Sequence, residues 1–88
     1  MIKGKTQTGF EYEINPESLN NYELIEDIAE MDTNPLMLTK VVKQMLGNDE
    51  NKRLKDHVRD ENGIVEMKKM ANEIVDIFQN SGSETKNS

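Results

Sequence analysis

The chain has 88 residues, with 17 acidic and 11 basic side chains and a formal net charge of −6. With 34% apolar residues and no tryptophan, it supports one small domain with a single lean core, and a stability of about 5 kcal/mol. Cysteine is absent, which excludes disulfides and thiolate chemistry, and no stretch approaches the roughly 20 consecutive apolar residues of a membrane span.

The N-terminal residues 1–14 read as a β-hairpin. Phe10, Tyr12 and Ile14 alternate with Glu11 and Glu13, and Thr8-Gly9 supplies the turn chemistry. A lone two-stranded ribbon is marginal in water, so it must lean on helices. No apolar run of the signal-peptide kind opens the segment, and a soluble, cytoplasmic protein is the expectation.

Asn15-Pro16 is a helix-start signal for a first helix over 16–31, with Leu19, Tyr22, Ile25, Ile28 and Ala29 as its inward stripe. Asn34-Pro35 repeats the signal for a second helix over 35–46. Its face is Leu38, Val41, Val42, Met45 and Leu46, and Gly47 stands where a left-handed C-cap is wanted. A third helix over 49–61 is the poorest in apolar residues, with only Leu54 and Val58 facing inward. Asn62-Gly63 stops it. A fourth helix over 66–79 carries Met67, Met70, Ala71, Ile74 and Phe78 on its stripe and Ile77 beside it. The fold class expected is therefore mainly α: a single four-helix domain over 1–80 with a short N-terminal β-hairpin, followed by a disordered C-terminal tail over 81–88.

Charge is unevenly placed. From Glu11 to Asp32 there are eight acidic residues and no basic one, whereas Lys40 to Arg59 holds six basic residues against three acidic. The first segment repels phosphate backbones and the second is too balanced for a strong nucleic-acid patch, so no nucleic acid partner is expected. The same asymmetry suits head-to-tail self-association, making a homo-oligomer one expected partner state.

No catalytic kit is present. His57, the sole histidine, has Asp60 and Glu61 three and four residues on, but nothing supplies a nucleophile for it to serve. The Asp60-to-Glu66 segment fails as a calcium loop. With Gly63 at the loop glycine, the first ligand position is Val58 and the twelfth is Lys69. An acyl carrier's phosphopantetheine serine is missing too, because Glu17-Ser18-Leu19 opens the first helix rather than the second. No enzyme activity, cofactor or metal is expected.

Methionine is more suggestive. Met31, Met37, Met45, Met67 and Met70 are internal, and flexible thioethers suit either an irregular small core or a surface that accepts varied apolar partners. Met45, Met67 and Met70 lie on core stripes, while Leu36 and Met37 lie off theirs. Partner-binding candidates are therefore Met31, Leu36 and Met37, then Val75 and Ile77 flanking the last helix's stripe. The acidic face Glu23, Glu26, Asp27 and Glu30 joins them as a surface for a basic partner or a neighbouring copy.

Several pieces together carry a family resemblance. They are the Phe10-to-Tyr12 alternation, the acidic Tyr22-Glu23-Leu24-Ile25-Glu26 helix, a helix ending in Met45-Leu46-Gly47, the Lys52-Arg53-Leu54-Lys55-Asp56-His57 segment, the Arg59-Asp60-Glu61-Asn62-Gly63 turn and the amphipathic final helix. In this order and spacing, from Phe10 to Phe78, the chain resembles the small tail assembly chaperones of long-tailed phages and prophages of Gram-positive bacteria. The resemblance implies binding of the long helical tape measure protein and recruitment of the major tail protein during tail tube assembly. It also implies a place in the host cell cytoplasm, absence from the mature virion, and a longer form made by frameshifting. A second class fits the acidic segment: a small acidic phage-encoded inhibitor or mimic that occupies a basic partner surface.

Overall fold

The computed structural model describes residues 1–86, with side chains as far as Ser81. Strands β1 (Ile2–Lys5) and β2 (Glu11–Ile14) form an antiparallel hairpin, with Ile2 opposite Ile14 and Gly4 opposite Tyr12. Helices α1 (Pro16–Leu19), α2 (Tyr22–Glu30), α3 (Met37–Val58) and α4 (Met67–Lys86) follow. The fold is mainly α, with the hairpin at its N-terminus, as the sequence pattern indicates.

The hairpin leans on the helices through one face. Phe10, Tyr12 and Ile14 are all buried, as period-two alternation requires of a half-buried strand. At the tip, the Thr6 amide donates to the Phe10 carbonyl and the Gly9 amide to the Thr6 carbonyl, and Gly9 takes a φ of 95°. Gly4 is needed for a different reason. A β-carbon there would lie 2.3 Å from the Tyr12 hydroxyl oxygen, because the tyrosine lies across the opposite strand's glycine.

The expected first helix is divided in two. Asn15 caps α1 by accepting from the Glu17 amide, and Asn21 caps α2 by accepting from the Glu23 amide, each at 3.0 Å. The second cap rotates the inward stripe. Leu24 and Asp27 are buried with Ile28 and Met31 partly so, whereas Tyr22, Ile25 and Ala29 face outward. The inward residues follow Leu24 at three, four and seven positions, and on this helix they share only Ile28 with the expected stripe.

Helix α3 buries Leu38, Val41, Val42, Met45 and Leu46 before Gly47, and Leu54 and Val58 after it. Its two halves join across a kink at Gly47, where φ is 78° and ψ is 175°. The glycine therefore breaks the helix at the expected place, but helical turns resume at once and no separate linker intervenes. Regular helix begins at Met37 rather than at residue 35, with Asn34 accepting from the Leu36 amide in the preceding turn. It ends at Val58, not at residue 61. Asp60 then closes a tight turn by accepting from the amides of Asn62 and Ile64, with Gly63 at a φ of 81°.

Helix α4 presents Met70, Glu73, Ile74, Ile77 and Ser81 inward. Ile77 is fully buried at the centre of this stripe, which removes it from the surface where the sequence pattern placed it. Met67, expected inward, is instead 50% exposed at the stripe's edge. The helix also runs past residue 79. Ser81, the expected start of a disordered tail, is helical and buried with its hydroxyl beside that of Tyr12. The rest of that expected tail, 82–88, lies outside the residues described with side chains.

Candidate functional site: an apolar groove with a basic rim

Two adjoining depressions run between the start of α3 and the start of α4, and they share Pro35, Leu38 and Met67. The larger encloses about 400 Å³ and is walled by Leu36, Val42, Val65 and Met70. The smaller adds Met31 and Ala71. The kink at Gly47 lets both halves of α3 contribute, with Val42 and Lys43 from before it and Asn51 and Lys55 from after it.

Several large aliphatics in and beside the two depressions are exposed. Leu36 is 74% exposed and Met67 50% exposed, and Ile64 and Val75 are further exposed aliphatics on the flanking turn and on α4. Met67, Ala71 and Val75 recur every four residues, so Val75 continues the row one turn beyond the groove. These side chains gain no burial from folding, and a partner that covers them supplies it.

The rim has one sign. Lys43, Lys55 and Lys68 line the two depressions, no carboxylate does, and none of the three lysines makes an ion pair among the described residues. In a chain of net charge −6 this is a local reversal. Such a rim favours acidic flanks on whatever apolar segment enters.

The acidic face of α2 lies elsewhere. Glu23, Glu26 and Glu30 are exposed and make no ion pair among the described residues. Asp27, grouped with them in the sequence reading, turns the other way. It is buried against α3, with one carboxylate oxygen 3.5 Å from the Lys40 ammonium. The helical period explains the correction, because Asp27 falls between Leu24 and Ile28 on the inward stripe.

A second cluster joins the hairpin tip to α3 and α4. Thr8 Oγ1 donates to Glu73 Oε2 at 2.8 Å and lies 3.0 Å from His57 Nε2. The single hydroxyl proton is committed to the carboxylate, so His57 Nε2 is the donor to Thr8 and does not act on it as a base. The His57 ring also packs on Phe10 at 5.4 Å between centroids, and the Arg53 guanidinium lies over Phe10 at 5.2 Å. Asp60 and Glu61 follow the end of α3, so they do not share its face with His57. This cluster fastens the hairpin and holds no activated nucleophile.

Of the partner-binding candidates, Met31 lines the smaller depression and Leu36 the larger, and Val75 extends the row of Met67 and Ala71 on α4. Met37 is half-buried and lines neither depression. Ile77 belongs to the core. Met67 and the three rim lysines were missed, the first because it was assigned to the core stripe. The lysines could be found only by knowing that the kink brings residues 43 and 55 to one wall. Among the described residues, no helix is long and apolar enough to cross a membrane, and no three His, Asp or Glu side chains gather as metal ligands. Comparison with protein-family models, curated proteins and solved structures finds no match to this chain.

Proposed function

We propose that this chain is a non-enzymatic assembly chaperone that holds apolar helical segments of another protein in the groove between α3 and α4. The observation that carries the reading is the exposed apolar floor at Leu36 and Met67, bordered by Lys43, Lys55 and Lys68. An amphipathic helix laid into such a groove buries its own apolar stripe, and acidic residues beside that stripe meet the rim. Methionine at Met31, Met67 and Met70 supports clients of varied sequence, because the thioether repacks at little cost. Modest affinity per site is enough when many copies coat one long client.

The sequence resemblance to tail assembly chaperones names the client proposed here: the tape measure protein of a long-tailed phage or prophage, with the major tail protein recruited during tube assembly. The chain then acts in the host cytoplasm and is left out of the finished virion. Co-expression with the tape measure protein from the same genome, followed by a pull-down, tests this. A soluble complex retained through high salt supports it. A client that precipitates with nothing retained refutes it.

One observation favours a second reading. The exposed row Glu23, Glu26 and Glu30, with no ion pair among the described residues, is a ready surface for a basic partner, which would make the chain a small acidic inhibitor. Binding of that kind falls steeply as salt rises, whereas apolar groove binding does not.

A further inference from the structure

We propose that the groove is also the docking site for helix α2 of a second copy of this chain. This inference rests on two surfaces of the chain and does not depend on the tail-assembly reading. The outer side of α2 carries two rows side by side. Tyr22, Ile25 and Ala29 form an exposed apolar row at spacings of three and four, with Tyr22 71% and Ile25 45% exposed. Glu23, Glu26 and Glu30, one position on, form a parallel acidic row with no ion pair among the described residues.

The groove offers the complement of each row. Its floor of Leu36, Leu38 and Met67 matches the apolar row, and Lys43, Lys55 and Lys68 match the acidic one. A docked α2 therefore buries Tyr22 and Ile25 where Leu36 and Met67 are now wet, and brings three carboxylates to three ammonium groups that make no ion pair among the described residues. One nine-residue helix covers a small area, so the dissociation constant should be on the order of 100 µM. The two surfaces differ, so the contact is heterologous: each copy that lends its α2 still has an empty groove, and association continues until a ring closes or a short filament forms. If the groove also takes a client helix, as proposed above, that helix and α2 compete for it.

Sedimentation over a concentration series tests this, with the mass of the full chain as readout and circular dichroism as the check on folding. The wild type should exceed the monomer mass at concentrations around its dissociation constant, and should weaken several-fold as salt rises. Ile25→Lys spoils only the donated face, and Leu36→Glu spoils only the groove, so each alone should be monomeric. Mixed together they should form a dimer and nothing larger, because one intact face of each kind remains. Glu26→Lys and Met67→Glu form a second such pair should either first variant fail to fold. A wild type that stays monomeric throughout overturns the proposal. So does association that survives Ile25→Lys, as a groove-on-groove contact would give, or a mixture of the two variants that stays monomeric.

Discussion

The hydroxyl of Thr8 donates a 2.8 Å hydrogen bond to the carboxylate of Glu73, 65 residues further along the chain. Glu73 is buried, so this bond and the neighbouring His57 contact fix the hairpin tip to both long helices. Gln7, Thr8 and Gly9 are exposed, and this fastening, with the Gln7 amide donating to Asp76 Oδ2 at 2.8 Å, supplies the support that a two-stranded ribbon lacks alone.

Removing the hydroxyl should loosen that junction. Thr8→Val deprives a buried carboxylate of its donor, and a loss of about 1–3 kcal/mol is expected. Urea unfolding reads this as a lower midpoint with an unchanged slope. A midpoint equal to the wild type's would mean that the contact contributes nothing to the fold.

The close approach of Tyr12 to Gly4 sets a second expectation. In Gly4→Ala the new methyl group overlaps the tyrosine ring, which is buried and backed by Ser81. The ring must shift, and overpacking of this kind costs about 1–3 kcal/mol. Tyrosine fluorescence and a thermal melt together should show a changed Tyr12 environment and a lower transition. Tyr22, exposed on α2, serves as the internal reference.

Much of this architecture was legible in the sequence because it follows from period and punctuation. The Phe10, Tyr12, Ile14 alternation and the Leu38-to-Leu46 stripe are buried as their spacing demands, and Gly47 breaks its helix where expected. Errors came where two phases of one period compete. Helix α2 carries both Tyr22-Ile25-Ala29 and Leu24-Ile28-Met31 at helical spacing, and nothing local decides between them. Burial against α3 chooses the second, and that choice draws Asp27 inward towards Lys40. The same ambiguity of about one position exchanged Ile77 and Met67 on α4. The groove was half legible. Leu36 stood off its stripe in the sequence, but a rim drawn from residues 43, 55 and 68 exists only once the chain has folded around the kink.

The two α4 aliphatics separate core from surface. Ile77→Ala should cost about 2–5 kcal/mol, enough to unfold a large share of so small a domain. Val75→Ala should stay within about 0.5 kcal/mol of the wild type in stability. Parallel thermal melts check both, and similar losses at the two positions would contradict the packing described.

The kink at Gly47 links fold to function. Any other residue there is strained at a φ of 78° and a ψ of 175°, and nothing lies within 4 Å of an added β-carbon, so the cost is in the backbone alone. Gly47→Ala should lose about 1–3 kcal/mol. It should also disturb the wall shared by Val42 and Lys55, weakening client retention more than the stability loss alone would explain. Pull-down yield compared at equal folded fraction checks that coupling.

The most direct test of the chaperone reading is co-expression of the tape measure protein with the wild-type chain and with Met67→Glu, reading soluble client retained in high salt. The wild type should keep the client in solution with more than one copy bound per client, and the variant, folded but with a charge on the groove floor, should lose most of it. Equal retention by both would place the client outside the groove, and no retention by either would remove the chaperone role altogether.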